Sequence, residues 1–193
     1  MGRKKYYPTL NELKEEIDYL KEKKRKGKNI LNFLIIITFI ISLIIIINVY
    51  FIPIYEIKGT SMDPTFKRND VVAVLKGKKI ERNDIIAFDY NGKILIKRVI
   101  GVGGDKINIT EDGKVFVNDK ELIENYAINI GVGVNTQSYP FTVAADSYFV
   151  LSDNRKESFD SRNVNLGSIS QNQVIGKIKL IIWPVKRIKI VER

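Results

Sequence analysis

The sequence predicts a mainly β protein, a partly open antiparallel barrel or two packed sheets, preceded by one N-terminal transmembrane helix. Three observations carry this. From Asn29 to Tyr55 there is no charged residue, and Phe33 to Ile54 is almost wholly Ile, Leu, Phe and Val, about the ~20 apolar residues a spanning helix needs. Beyond it the apolar pattern changes to β-rich runs at period two, with Asn91-Gly92, Asp112-Gly113 and Asn118-Asp119 as turn signals between them. The charge is concentrated ahead of the apolar run, where residues 1–29 hold ten Lys/Arg against five Asp/Glu.

Taken in order, 1–29 is a basic segment expected to stay in the cytoplasm by the positive-inside rule. Within it Leu10, Leu13, Ile17 and Leu20 fall at helical spacing, which predicts a short amphipathic helix. Residues 30–54 are the expected spanning helix. The run is too long for a cleavable signal peptide, whose apolar core would be about 7–15 residues, and Asn48-Val49-Tyr50-Phe51-Ile52-Pro53 offers no small-residue cleavage site. Residues 55–193 then lie on the far side of the membrane as one domain. Strands are expected at Asp70–Leu75, Asp84–Phe88, Ile94–Ile100, Lys106–Ile109, Lys114–Val117, Tyr148–Leu151 and Ile178–Trp183.

Composition excludes much. The chain has no Cys and no His, so Ser-His-Asp triads, cysteine nucleophiles and Cys/His zinc sites are all ruled out. Among nucleophile and base pairs, Ser with Lys remains. Half of the net charge of +10 belongs to the segment before the apolar run, where basic residues favour anionic lipid head groups rather than nucleic acid. Gly101-Val102-Gly103-Gly104 lacks the Gly-Lys-Ser/Thr or strand-to-helix context of a nucleotide loop. No cofactor or metal is expected.

Two segments stand out: Gly59-Thr60-Ser61-Met62-Asp63-Pro64-Thr65-Phe66 and Leu95-Ile96-Lys97-Arg98-Val99-Ile100-Gly101. With Ser152-Asp153-Asn154-Arg155-Lys156-Glu157-Ser158-Phe159-Asp160-Ser161-Arg162 further on, they resemble the type I signal peptidases, in that family's order. The Ile-, Lys- and Asn-rich usage and single spanning helix resemble its Gram-positive members.

The resemblance implies a membrane-anchored serine endopeptidase that cuts signal peptides from exported preproteins after small residues, Ala-x-Ala. In it Ser61 is the nucleophile and Lys97 the general base, with Ser158 orienting the lysine and Asp160 and Arg162 paired beside the site. It also implies a small β cap over residues 108–145, secretory preproteins as substrates, and membrane lipid and the secretion translocon as surroundings. By position Ile57, Met62, Phe66, Leu95 and Ile96 are candidate pocket walls. Some family members carry a second oxyanion hydroxyl where this chain has Gly59, and the family usually has Gly where Ser152 stands.

A lysine with an ordinary pKa of about 10.4 cannot accept a proton, so Lys97 must be desolvated, and its apolar neighbours Leu95 and Val99 on an alternating strand supply the means. Other readings are a paralogue with a narrow substrate set and a non-catalytic signal-peptide-binding protein of the same fold. A soluble SOS-repressor autoprotease shares Ser/Lys chemistry, but the apolar run and the lack of a DNA-binding module argue against it.

Overall fold

A computed structural model describes residues 9–50, 52–131, 133–157 and 159–191. They form two compact units, which divide after Ile47.

Among the described residues the first unit is one helix, α1, which runs Leu10–Tyr50 and so passes the division by three residues. The amphipathic stretch and the apolar run, expected as separate elements, are joined without a break, because no Pro or turn sequence lies between Leu10 and Tyr50 and Gly27 alone does not stop a helix. Thr9 caps it reciprocally with Glu12: the Thr9 N–H donates to Glu12 Oε2 at 2.8 Å and the Glu12 N–H to Thr9 Oγ1 at 3.5 Å. The helix is long and apolar enough to cross a membrane. It ends before Pro53, and Ile54, the last residue of the expected spanning segment, already begins a strand.

The second unit is antiparallel β throughout its paired strands. The strands are β1 Ile54–Glu56, β2 Val71–Leu75, β3 Ile85–Tyr90, β4 Lys93–Val102, β5 Lys106–Ile109, β6 Val115–Val117, β7 Lys120–Glu121, β8 Phe141–Thr142, β9 Ser147–Leu151, β10 Ile169–Ser170, β11 Val174–Trp183 and β12 Lys189–Ile190. Among the described residues, one large sheet runs β1-β2-β11-β3-β4-β9-β10, with β12 added to β11, and a small one runs β7-β6-β5-β8. Its outer strands β1 and β10 do not pair, so the large sheet is open. The two-sheet expectation holds and no barrel closes. The strands of the small sheet lie between Lys106 and Thr142, against residues 108–145 for the expected cap.

Alternation along β4 divides the core. Ile96 packs into one cluster with Ile57, Met62, Phe66, Val72, Ala87 and Ile181. Leu95 and Val99 join the other, with Ile86, Phe88, Val150 and Ile169. A third cluster, around Ile107, Val115 and Phe149, holds the small sheet to the large one.

Candidate active site

The site is built on an interrupted ladder. β3 pairs with β4 along its length, from Tyr90 opposite Lys93 to Ile85 opposite Arg98. The Val99 N–H donates to the Asp84 carbonyl at 2.9 Å and the Asn83 N–H to the Val99 carbonyl at 2.8 Å, so the Val99 backbone faces β3. Antiparallel alternation then turns the backbone groups of Lys97 and Leu95 toward β3 and those of Ile96 and Ile94 away from it. On that other side β9 covers β4 only from Arg98 to Val102. Past Leu151 the chain leaves, because the Ser152 N–H donates to Asp160 Oδ2 at 2.9 Å and the Ser152 carbonyl accepts Arg155 Nε at 2.8 Å. No strand among the described residues pairs with Ile94 and Ile96 on this edge.

At the inner end of the open edge sits Lys97, only 4% exposed. Burial pushes its ammonium down to about 8; the carboxylates of Asp160, Glu157 and Asp153 oppose the shift, while Arg162 adds to it. The amine is therefore partly neutral near physiological pH.

Ser61 lies in a turn between β1 and β2 that is held from both sides. The Asn154 N–H donates to the Ser61 carbonyl at 2.9 Å, and Asn154 Nδ2 to the Thr60 carbonyl at 3.3 Å. Met62 and Phe66, buried on either side of a one-turn bond from the Phe66 N–H to the Met62 carbonyl at 2.8 Å, fix the turn to the core. A cleft of about 700 Å³ joins these parts, lined by residues 54–59, Ser61 and Met62 on one side and by Lys93–Lys97 on the other. Ser61, Lys97 and the open edge thus share one cavity. A larger cavity of about 1050 Å³, lined among others by Lys78, Arg82, Gly103, Tyr148 and Val174, includes neither residue.

Buried ion pairs frame the site. Arg98 grips Asp153 with Nε and Nη2 at 2.8 and 2.7 Å, donates through Nη1 to the Asn83 carbonyl at 3.1 Å, and lies 3.9 Å over the Tyr126 ring. Thr65 Oγ1 donates to the same carboxylate at 2.5 Å, tying the chain after Ser61 to the loop after β9. Asp160 receives Arg162 through Nε and Nη2 at 2.9 and 2.8 Å, and Arg155 pairs with Glu124. Burial raises the Asp160 carboxyl, but the hydrogen bonds and charge of Arg162 outweigh it and hold the group below the usual carboxylate range.

Most of the sequence-derived residues converge. Ile57, Met62, Leu95 and Ile96 line the cleft, as does Gly59, and Asp160 and Arg162 form the expected pair. Phe66 does not line it. Its ring is wholly buried in the core, because the turn from Met62 to Phe66 carries it past the cleft wall into the cluster with Val72 and Ile181. Ser158 lies outside the described residues. Sequence reasoning missed Tyr55, Glu56, Lys58, Lys93 and Ile94 on the cleft wall, and it missed the Arg98–Asp153 grip. Adjacency to Ile57 and Leu95 was the available signal for the first group; the second had none.

Gly59 has no positive φ, and a Cβ there would meet only the Ser61 N, at 3.9 Å. Nothing in the folded chain demands glycine, so its use is the space left in the cleft. Gly59→Ala is expected to change stability by less than about 0.5 kcal/mol and to raise KM for peptide substrates, as read by melting and steady-state kinetics side by side. Loss of the fold would assign the glycine to the backbone instead.

The open antiparallel domain thus holds a cleft in which a serine, a buried lysine and an unpaired strand edge come together. Residues 30–183 match the model of the signal peptidases, peptidase S26. The chain is 35% identical over 175 residues to signal peptidase I U of Bacillus subtilis (strain 168), covering 84% of this chain and 91% of that one. It is 33% identical over 182 residues to signal peptidase IB of Staphylococcus aureus (strain COL), covering 84% and 94%. A crystal structure of a signal peptidase I from Enterococcus faecalis V583 is 33% identical, with a TM-score of 0.44 over 52% of this chain and 97% of that one. The chain belongs to the signal peptidase family, and it is a membrane-anchored hydrolase of the serine type.

Proposed function

We propose that the chain cleaves signal peptides from exported preproteins with Ser61 as nucleophile and Lys97 as general base. The observation that carries this is the shared cleft, in which the buried Lys97 amine and Ser61 meet the open backbone of Ile94 and Ile96. An extended substrate adds itself to that edge as a further strand. Its alternate side chains then point toward the apolar wall of Ile57, Met62 and Ile96, which suits small apolar residues such as the alanines of Ala-x-Ala.

Lys97 takes the hydroxyl proton as Ser61 Oγ attacks the scissile carbonyl, and returns it to the leaving amine as the C–N bond breaks. The acyl-enzyme is then hydrolysed by a water that gives its proton to the same amine. The Ser61 N–H supplies an oxyanion donor, a contribution of order 10²–10³ in rate. The basic end of α1 remains in the cytoplasm and the β domain lies outside the membrane, as the positive-inside rule requires. Anionic lipid at the basic segment and a secretion translocon are the surroundings this topology implies.

Full-length protein in detergent is expected to cut an Ala-x-Ala preprotein after the second alanine, and Ser61→Ala and Lys97→Ala each to lose the activity while melting normally. Binding without cutting by the unsubstituted chain would instead support a non-catalytic signal-peptide binder, and cutting restricted to one or a few preproteins a specialised paralogue. Undiminished cleavage by Lys97→Ala would remove the dyad.

A further inference from the structure

Ser152 is wholly buried, and its Oγ has no hydrogen-bond partner among the described residues. Burying a hydroxyl without a partner is costly, so its position calls for a reason. The backbone around it is fully used: its N–H goes to Asp160 and its carbonyl to Arg155. Only the side chain is idle.

Its place in the fold is next to the base. β9 ends paired with β4 at Leu151 opposite Arg98, so Ser152 is the first residue past the ladder and Lys97 the adjacent residue of β4 at the point where the two strands part. Asp160 accepts the Ser152 N–H, and its carboxylate is the strongest of the charges acting on the Lys97 amine.

The chemistry of the lysine explains an acceptor that is idle at rest. As a neutral amine Lys97 has two N–H groups and a lone pair; once it has taken the Ser61 proton it has three N–H groups and a full charge in a buried position. We propose that Ser152 is a positioning residue for Lys97: its Oγ accepts the additional N–H of the ammonium that forms as Ser61 attacks. An interaction made only as the charge develops lowers the barrier without tightening substrate binding. The assignment rests on the dyad proposed above, and it concerns a position where the sequence departs from the family's usual glycine.

The groups acting on Lys97 from the loop after β9 are Asp160, Glu157, Asp153 and Arg162. From β4, Arg98 is turned to Asp153 and the exposed Lys93 lies four residues away, and from β3 the opposing residue is apolar Ile86. None of these changes in a Ser152 variant, so a change in the pH profile reports the hydroxyl itself.

The test is the pH dependence of kcat and kcat/KM for full-length protein in detergent, with Ser152→Ala and Ser152→Gly beside the unsubstituted chain. Ser152→Ala puts a methyl where the acceptor was and excludes water. It is expected to lower kcat roughly ten- to hundredfold, to leave KM unchanged and to move the acidic limb to lower pH, because the ammonium loses a partner. Ser152→Gly leaves space for a water to take over as acceptor, and is expected to recover most of the rate and the original limb. Melting of Ser152→Ala at or above the parent temperature would show that the loss is not one of folding. An unmoved limb and unchanged kcat in Ser152→Ala, with the parent active, would overturn this assignment alone. An inactive parent, or one unaffected by Lys97→Ala, would overturn the dyad and this assignment with it.

Discussion

Lys97→Met is expected to abolish cleavage and, at pH 7, to make the protein more stable by roughly 3 kcal/mol. The cause is the cost of keeping an ammonium in a buried site: Lys97 titrates at about 8 in the fold against 10.5 in the unfolded chain. Between those two values the unfolded chain binds more protons, so this residue makes stability rise with pH. Below 8 both states are protonated and the full penalty applies. The gain from Lys97→Met should therefore be constant below about pH 8 and vanish near pH 10.5, as read by unfolding midpoints across that range. In the unsubstituted chain kcat/KM should fall about tenfold per pH unit below 8, following the loss of neutral amine. A variant less stable than the parent at pH 7 would show that Lys97 is held as a favourable ion pair, which a general base cannot be.

The opposite sign is expected for Asp160→Ala, a loss of about 3–5 kcal/mol, because it strands the guanidinium of Arg162 in the interior. It also orphans the Ser152 N–H that ends the β4–β9 ladder. The loss is a large share of the ~5–15 kcal/mol by which a domain is stable. The depressed carboxyl contributes stability that is present above its unfolded value of 3.8 and lost as pH falls through its lower folded value. Asp160→Ala should therefore show a shallower acid limb in its stability curve. Without that carboxylate the Lys97 ammonium loses its strongest attraction, so whatever activity survives should extend to lower pH. Wild-type midpoints in this variant would mean that Arg162 finds another anion.

Much of this was legible in the chain. The strands containing Val72, Phe88 and Val150 declare themselves because both faces of the large sheet are covered, so their runs are apolar in nearly every position. The absence of His and Cys made Ser61 with Lys97 the remaining pairing, and alternation placed Leu95 and Val99 beside the lysine. What escaped depends on long-range pairing. β1 and β12 are two or three residues long, too short for a period to show, and acquire their form only from the strands they pair with, β2 and β11. Arg98 reads as one more strand cation until Asp153, fifty-five residues on, is brought against it. Phe66 was read by its nearness to Ser61, whereas the intervening turn brings its ring into the core cluster instead of the cleft wall.

The early departure of β9 from β4 makes the cleft a reader of chain conformation before it is a reader of side chains. Ile94 and Ile96 offer N–H and C=O groups that can be matched only by a stretch whose own backbone groups are free. A helix has already committed those groups to itself, and a folded domain has committed them to its neighbours. A segment is thus admitted only after a preceding helix has ended and before the following chain has folded. If substrate adds to this edge as proposed, the unfilled place in the sheet sets where along a precursor, and when in its maturation, the cut can fall.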